Sequence, residues 1–468
     1  MGRRTRAVEL VLGDVIEHAV SRSPDNGKRP STIVHQATVS KLDDGHSSIT
    51  SSILDNCQTV DSQHPQFDTS QALMHGIAHS FIPSNDSPNQ NLDGDAQSAE
   101  TEGKSSIHDS AVSIGRIPSS TNFKPIGNIT IQQFREAVTQ NHEVRYKNGP
   151  KSRVEPKDPN TEVPASPKVA SKSIKFGFKS YAGQVFASLR SSLGITNEDY
   201  VGSLAGGESF HDFVSNSRSG AFFFFTTDGK YIIKTMSHNE SLWFRDFLPG
   251  YFQHLHEHSS SLLVRIVGLY RIKFYGARNN LHFYVMLNVF ARDGLVPIQS
   301  KFDLKGSTFG REAKSTDLVL KDVDFDRLDV VVKLGEYYPA VLAILKSDAN
   351  FLSSAMQMDY SLLIGIYNRD QDPTNPTDDE LLARLGYTPE EADNPSSYDR
   401  RGLLSRDSNR RIANVYFMGI IDYLQKYNWK KKTEHFFKAI VNDRSSISAV
   451  NPPAYAKRFS AFIERHLA

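Results

Sequence analysis

The sequence is poor in the features that mark secreted, membrane-spanning and nucleic-acid-binding proteins. Its 468 residues include one cysteine, Cys57, so no intramolecular disulfide can form, which favours a reducing, intracellular setting. No apolar run approaches the roughly 20 residues that a transmembrane helix needs. The 54 basic and 53 acidic side chains give a formal net charge of +1, which does not indicate general nucleic-acid binding. The start of the chain matches neither a secretory nor a myristoylation signal, so we expect any membrane contact to be peripheral.

Aromatic residues are scarce in the first third of the chain. The sequence has 28 Phe, 18 Tyr and 2 Trp, and only five of these lie within residues 1–165. A segment with so few large apolar groups cannot offset the entropy lost on ordering its backbone. We therefore predict a mostly disordered, low-complexity tail over 1–165, with short helices near Val8–Val20 and Ile131–Val138 left open.

The remaining sequence predicts a folded unit with one interruption. Residues 170–368 and 412–466 are rich in apolar groups, whereas residues 369–411 are polar and contain four prolines. This composition predicts a disordered insertion in a loop, in which Asp378–Leu385 favours a turn or two of helix.

A β-hairpin is predicted early in the folded part. Ala221–Thr226 has a strand composition, Asp228-Gly229 is a turn pair, and Lys230–Thr235 forms the returning strand. The preceding loop, Ser215–Gly220, is small and polar, so Ser219 and Gly220 are candidates for backbone contacts with a phosphate; an ordinary turn is the simpler explanation.

Lys234 gives the hairpin a functional candidate, because an unpaired ammonium in an apolar strand is costly. Ser237 and Glu240 form a helix-capping pattern, which is the structural role open to Glu240. The functional alternative is that Glu240 pairs with Lys234, which then holds nucleotide phosphates, as in protein kinases. Two further strand-like runs, Leu262–Phe274 and His282–Phe290, complete a small antiparallel lobe; Met286 and Asn288 lie in its expected hinge.

Three later segments favour phosphoryl-transfer chemistry. They are Phe302-Asp303-Leu304-Lys305-Gly306-Ser307-Thr308, Met358-Asp359-Tyr360-Ser361-Leu362-Leu363 and Gly419-Ile420-Ile421-Asp422. Asp359 and Asp422 lie among apolar neighbours, where a carboxylate needs a partner or a metal. A hydrogen-bonded structural aspartate explains either one alone; both together, with Lys305 beside a glycine, indicate a phosphoryl-transfer site.

With these motifs in this order, the sequence resembles the phosphatidylinositol phosphate kinase family from about Phe176 to Leu467. The resemblance implies an α+β, two-lobed lipid-kinase fold distantly related to protein kinases, with an antiparallel sheet in each lobe. It implies an N-terminal nucleotide-binding lobe over 166–295 and a C-terminal lobe over 296–468. The chain lacks the Gly-x-Gly-x-x-Gly, His-Arg-Asp and Asp-Phe-Gly motifs of ordinary protein kinases.

The resemblance also assigns roles by position. It implies that Lys234 contacts the phosphates of ATP with Glu240 orienting it, and that Asp359 is the catalytic aspartate near the inositol hydroxyl. Asp422 is implied to bind magnesium, and Lys305 to approach the transferred phosphate. Ser219, Gly220, Met286 and Asn288 are the remaining implied nucleotide contacts.

The resemblance places a specificity loop at about 427–460. Lys431, Lys432 and Glu434 in this loop are similar to the branch that converts phosphatidylinositol 4-phosphate to the 4,5-bisphosphate. Asn288-Val289-Phe290 and Tyr455–Phe459 are closer to the branch that phosphorylates the 5-phosphate isomer at the 4-hydroxyl. We expect the 4-phosphate 5-kinase, with the 4-kinase as the alternative.

Basic residues predict a peripheral contact with an anionic membrane, at the inner face of the plasma membrane or another cytosolic membrane surface. The candidates are Arg410, Arg411, Lys431, Lys432, Lys457 and Arg458, since basic residues near an anionic leaflet each contribute about 1 kcal/mol. A solvated lysine run is the usual explanation of such a triplet. A catalytically inactive phosphoinositide-binding scaffold and a soluble inositol-phosphate kinase remain alternatives, and the oligomeric state is left open between monomer and homodimer.

Overall fold

The computed structural model describes most of the second half of the chain and two segments of the first. The described residues are 57–61, 64–80, 136–147, 149–150, 173–206, 210–213, 222–277, 280–291, 295–314, 317–392, 401–427 and 451–468. Within them the fold is α+β with two lobes and a sheet in each, as predicted.

The N-terminal lobe is built on an eight-stranded sheet in which every neighbouring pair is antiparallel. Its order is β1-β4-β5-β6-β8-β7-β3-β2. The strands are β1 (Cys57–Thr59), β2 (Asn141–Tyr146), β3 (Phe176–Tyr181), β4 (His211–Phe213), β5 (Phe223–Phe225), β6 (Tyr231–Met236), β7 (Ile266–Phe274) and β8 (Leu281–Leu287). The predicted hairpin is β5–β6, and Asp228 closes its turn by accepting hydrogen bonds from Thr226 Oγ1 at 2.7 Å and the Lys230 amide at 3.2 Å.

Helices cover both faces of this sheet. They are α1 (Phe67–Ser80), α2 (Gly183–Ser192), α3 (Asn197–Ala205) and α4 (His238–Glu257). Strand alternation sorts the side chains, because neighbouring residues point to opposite faces. Ile233 packs in the core with α1 and α3, whereas Ile232 packs in the core with α2 and α4, on the face of β6 that also carries Lys234.

Two segments of the predicted disordered tail belong to the folded lobe. Strand β1 pairs with β4, β2 pairs with β3, and α1 buries Leu73 and Ile77 in the core that contains Phe178. The prediction of disorder is therefore wrong for 57–61, 64–80 and 136–147, and the domain boundary at 166 is too late. Apolar residues on one face of α1 form this contact. The average composition of 165 mostly polar residues does not reveal them. Most of Val8–Val20 and Ile131–Val138 lies outside the described residues, apart from a helical turn at 136–139.

The C-terminal lobe contains a five-stranded sheet in the order β10-β9-β12-β14-β13 and a short two-stranded ladder, β11-β15. Its strands are β9 (Ser300–Leu304), β10 (Leu320–Lys321), β11 (Gln357–Met358), β12 (Ser361–Asn368), β13 (Leu403–Arg406), β14 (Ile412–Ile421) and β15 (Gln425–Lys426). Its helices are α5 (Asp322–Arg327), α6 (Tyr338–Ser354), α7 (Asp378–Leu385), α8 (Pro389–Ala392) and α9 (Pro452–Arg465). Only β9 and β10 run parallel; the other pairs are antiparallel.

The predicted disordered insertion is also ordered over 369–392 and 401–411. Helix α7 begins at a capping box formed by Thr377 and Glu380 and buries Leu381 and Leu385 against Tyr367 of β12. The segment is polar in composition because its short helices and strands each expose one face to solvent. The apolar residues on their other faces share one small core. The predicted specificity loop is likewise too long at its C-terminal end, because Pro452–Arg465 is helix α9, packed in the core with α6.

Candidate active site

One end of the C-terminal sheet brings together three predicted site residues. Leu304 of β9 pairs with Leu362 of β12, and Ser361 of β12 pairs with Ile421 of β14. Lys305 follows β9, Asp359 lies two residues before β12, and Asp422 follows β14, so all three lie at the same edge. Neighbouring strands are about 4.8 Å apart, which places these residues within reach of one triphosphate.

Asp359 and Asp422 interrupt the pairing of their strands in the same way. Both have φ of +60°, in the left-handed region that few residues other than glycine, asparagine and aspartate adopt. The residues after Asp359 pair with those before Asp422 in the β12–β14 ladder. Met358, before Asp359, pairs with Gln425, after Asp422, in the β11–β15 ladder. Left-handed residues at the ends of strands cluster at functional sites, because the surrounding ladders hold them in place.

The N-terminal lobe contributes Lys234 to this edge. The Nζ atom of Lys234 lies 2.5 Å from Oδ1 of Asp422 and 4.7 Å from the centre of the Phe223 ring. The lysine side chain is 16% exposed and the aspartate side chain 40% exposed. The cation is thus held at the mouth of the cleft between the lobes, where its partner remains open to solvent.

The surroundings of Lys234 keep it charged. Burial by itself would lower the pKa of the ammonium, but Tyr284, Asp422 and Glu240 together raise that pKa above its ordinary value. Tyr284 is the cross-strand partner of Lys234 on β8. Burial raises the pKa of the Tyr284 phenol to about 12, so the phenol stays neutral.

Glu240 takes its structural role in this conformation. Ser237 and Glu240 form the predicted capping box at the start of α4. The second carboxylate oxygen of Glu240 accepts a hydrogen bond from Gln425 Nε2 at 2.8 Å. Among the described residues, Lys234 therefore forms its ion pair with Asp422 and not with Glu240, because Glu240 is held by its own helix end and by β15.

A buried aspartate shapes the loop that carries Lys305. Oδ1 of Asp322 accepts hydrogen bonds from the consecutive amides of Lys305, Gly306 and Ser307, at 2.9, 2.6 and 3.2 Å. Its Oδ2 accepts one from Arg311 Nε at 2.7 Å, and the Asp322 side chain is fully buried. The Lys305 backbone is consequently fixed before any substrate binds.

Helix α9 packs directly on this loop. Gly306 has φ of +68°, and a Cβ there would lie 3.0 Å from the Arg458 carbonyl oxygen and 3.0 Å from Phe459 Cα. Tyr455 donates a hydrogen bond to the Tyr360 carbonyl, beside Asp359. Arg458 therefore lies next to the site through its backbone, and Lys457 is exposed on the same helix.

The predicted hinge residues lie at the junction of the lobes. Met286 is buried at the end of β8. The amide of Asn288 donates to the Lys230 carbonyl at 2.9 Å, and its side chain donates to the Gly229 carbonyl at 2.8 Å. Asn288 also lines a cleft between the lobes together with Val264, Val289 and Met418.

Arg410 and Arg411 lie far from this edge. They occupy the turn before β14, so the ten residues of that strand separate them from Asp422 by about 30 Å. Arg411 is paired with Asp370 at 2.8 Å and with Asp407 at 3.2 Å. A direct contact of either arginine with the transferred phosphate is excluded by this placement; their contact with a membrane stays a prediction.

Five predicted site residues lie outside the described residues: Ser219, Gly220, Lys431, Lys432 and Glu434. In the described part of the chain, no helix is both long and apolar enough to cross a bilayer. The described residues likewise contain no group of three or more His, Cys, Asp or Glu side chains arranged to hold a metal.

The donor set at the sheet edge nevertheless fits magnesium bound together with a nucleotide. Mg²⁺ prefers oxygen ligands and in kinases is held by one or two carboxylates, with phosphate and water completing its shell. Asp359 is exposed, and the carboxylate of Asp422 is 40% exposed. Two open carboxylates at one edge meet this requirement without a preformed cage.

Comparison with known proteins gives a consistent result. A family model described as Phosphatidylinositol-4-phosphate 5-Kinase matches residues 204–466, more than half of the chain, and covers every site residue above. The chain belongs to this family.

Relatives in the 4-phosphate 5-kinase family are found in distant organisms. The chain is 35% identical over 320 residues to a Plasmodium falciparum phosphatidylinositol 4-phosphate 5-kinase, covering 62% of this chain and 18% of that protein. It is 32% identical to the mouse type-1 alpha enzyme, covering 62% of this chain and 57% of the relative. It is 32% identical to phosphatidylinositol 4-phosphate 5-kinase 3 of Arabidopsis thaliana, covering 63% of this chain and 45% of that protein. The chain thus matches about half the length of two relatives and a fifth of the third.

Several residues that hold the candidate site in place were not predicted from the sequence. Asp322 and Arg311 fix the Lys305 loop, Tyr284 contacts Lys234, and Tyr455 holds the turn at Asp359. The only local signal for Asp322 was the run Lys321–Asp326, in which Asp322 and Asp324 alternate with apolar residues. Such alternation can bury an aspartate. The contacts of Tyr284 and Tyr455 depend on strand register and helix packing, which leave no local pattern.

Proposed function

We propose that this chain transfers the γ-phosphate of ATP to the 5-hydroxyl of phosphatidylinositol 4-phosphate. The observation that carries the proposal is the convergence of Lys234, Asp422, Asp359 and Lys305 at one sheet edge, with Lys234 and Asp422 in direct contact across the lobes. A phosphoryl-transfer enzyme mainly positions its reactants and neutralises charge that develops on the transferred group. Two cations and two carboxylates in this arrangement can do both.

Each side chain has one task in the proposed reaction. Lys234, kept charged by its surroundings, binds the phosphates of ATP; the ion pair with Asp422 opens as the nucleotide enters. Asp359 accepts the proton of the attacking inositol hydroxyl, since its carboxylate is exposed at the edge where the headgroup must enter. Lys305, on its rigid loop, neutralises charge on the phosphoryl group in transit.

Asp422, with Asp359 beside it, would hold magnesium, which when bound would supply positive charge that neutralises the phosphates of ATP. Met286 and Asn288 would flank the adenine ring where β8 ends. Glu240 would orient Lys234 only after leaving Gln425, so we assign it a position beside the nucleotide and no direct contact in the present conformation.

The lipid isomer is supported by the Plasmodium, mouse and Arabidopsis relatives, each of which is named a phosphatidylinositol 4-phosphate 5-kinase. Lys431, Lys432 and Glu434 stay predictions for headgroup selection. Lys457 and Arg458, on the helix that follows the loop, are proposed to face the lipid substrate at a cytosolic membrane surface.

The decisive assay supplies radiolabelled ATP and vesicles that contain either the 4-phosphate or the 5-phosphate lipid. We expect label in the bisphosphate with the 4-phosphate lipid, and at least a 100-fold lower rate for Asp359→Asn. Asp329→Asn is a matched control, because Asp329 is also an exposed aspartate with positive φ, at +48°, but lies outside the site. Preference for the 5-phosphate lipid would assign the 4-kinase instead, and equal rates for wild type and Asp359→Asn would refute the mechanism.

A further inference from the structure

The most exposed large apolar side chain in the described part of the structure lies beside the active site. Phe309 is 61% exposed, and it follows Lys305 by four residues. Four residues of chain span at most about 14 Å, so the Phe309 Cα lies within that distance of the Lys305 Cα, at the edge that also carries Asp359 and Asp422. A single exposed phenylalanine is ordinary in itself, so a function for Phe309 has to be argued from the residues around it.

Phe309 is presented by a rigid turn. The Arg311 amide donates to the Thr308 carbonyl at 3.2 Å, and Gly310, between Phe309 and Arg311, has φ of +66°. Together these describe a turn with Phe309 at its tip. The backbone hydrogen bond and the left-handed glycine hold the Phe309 backbone at this tip.

The base of the turn is fixed on both sides by Asp322. This buried carboxylate binds the amides of Lys305–Ser307 before the turn and the guanidinium of Arg311 after it. Arg311 also donates to the Asp303 carbonyl, and its own carbonyl accepts from the Val323 amide at 3.0 Å. The exposure of Phe309 is therefore built into the fold.

The uncompensated charges near Phe309 are cationic, because Glu312 on the same excursion is ion-paired with Arg327. Lys314, on the same excursion between β9 and β10, is exposed, and so is Lys457 on α9, whose backbone packs against Gly306. Met356, three residues before Asp359, is a second apolar side chain exposed near this edge, at 39%. Apolar tips among lysines are the composition that binds at the boundary of headgroups and acyl chains.

We propose that Phe309 inserts into the headgroup region of an anionic bilayer and seats the active-site edge against it. The inference rests on the proposed function, because a lipid whose acyl chains stay in the bilayer can reach Asp359 only if this edge meets the membrane. Phe309 then holds the edge at the depth of the inositol ring, and Lys314 and Lys457 contribute long-range attraction.

The test uses the full chain and vesicles of phosphatidylcholine with phosphatidylserine, without ATP. We expect Phe309→Ala to weaken vesicle binding about tenfold, the order expected for losing one buried aromatic ring. Tyr275→Ala is the control, because Tyr275 is 53% exposed but lies at the β7–β8 turn, at the opposite end of β8 from the hinge. Its binding should match that of wild type.

A second variant reports insertion directly. In Phe309→Trp, the added fluorescence should shift to the blue on vesicles and be quenched by brominated acyl chains, relative to wild type with its two tryptophans. The proposal is overturned if Phe309→Ala binds vesicles as tightly as wild type, or if the new tryptophan stays exposed to water on vesicles. Either result would favour a protein partner as the ligand of Phe309.

Kinase rates separate this inference from the proposed function. Phe309→Ala should lose activity on vesicles but keep it on a water-soluble, short-chain substrate. Wild-type binding to vesicles with no turnover of either substrate would refute the proposed function while leaving the anchor standing. Equal losses on both substrates would show that Phe309 acts on the catalytic edge and would overturn the anchor.

Discussion

Lys234 and Asp422 are 188 residues apart in the sequence, and their side chains meet at 2.5 Å across the cleft between the lobes. The pair joins a strand of the N-terminal lobe to the end of β14 in the C-terminal lobe. Its two members differ in exposure, 16% for the lysine and 40% for the aspartate. That asymmetry predicts different consequences when either one is removed.

Removing the aspartate should destabilise the protein more than removing the lysine. Asp422→Asn, which still tolerates the left-handed backbone at this position, leaves a largely buried ammonium without its charged partner, which we expect to lower the free energy of unfolding by about 1–3 kcal/mol. Lys234→Met leaves a carboxylate that water can reach, so its cost should be smaller. Urea unfolding of the two single variants and the double variant measures the difference. A greater loss for Lys234→Met would contradict the assigned environment, and both variants should lack kinase activity.

Gly306 is expected to tolerate no side chain. Gly306→Ala combines a left-handed backbone with a Cβ 3.0 Å from the backbone of α9, at a cost of about 2–4 kcal/mol. Gly310→Ala has nearly the same φ, +66°, but its Cβ would meet open space, so only the backbone cost of about 1 kcal/mol should remain. Thermal unfolding compares the two. Equal losses would show that α9 does not restrict this loop.

Tyr455 is predicted to position the catalytic turn. Tyr455→Phe removes the hydroxyl that donates to the Tyr360 carbonyl, so we expect kcat to fall roughly 10- to 100-fold with little change in the KM for ATP. Tyr367→Phe is the control: that fully buried hydroxyl donates to Asp372 at 2.9 Å near the other end of β12. Both variants should lose similar stability, and only Tyr455→Phe should lose turnover. Steady-state kinetics in which both keep wild-type kcat would contradict the assignment.

The ordered helix in the predicted tail can be tested by one core substitution. Ile77 is fully buried on α1, so Ile77→Ala should lower the free energy of unfolding by about 2–4 kcal/mol. Gln71→Ala, on the same helix but only half-buried, should change it little. No effect of Ile77→Ala would mean that α1 does not pack against Phe178 in solution.

Local patterns were sufficient for much of this fold. The β5–β6 hairpin, the capping box at Ser237, the helix Asp378–Leu385 and the antiparallel sheet of the N-terminal lobe follow from turn pairs, capping residues and strand composition. Average composition was a poor guide to order. The segments 57–61, 64–80, 369–392 and 401–411 fold because a few apolar residues on one face of each helix pack into a core, and an average over many polar residues does not detect such faces.

The sequence by itself singled out the side chains that we propose carry the chemistry: Lys234, Lys305, Asp359 and Asp422 are each marked by an ionisable group in an apolar or glycine-containing motif. Only the tertiary structure decided how they are arranged. The register of β9, β12 and β14 places three of them at one edge, and closure of the lobes gives Lys234 the partner Asp422 while Glu240 binds Gln425. Local sequence encodes the type of a residue, but contacts between residues 58 to 188 positions apart depend on packing, which no local pattern contains.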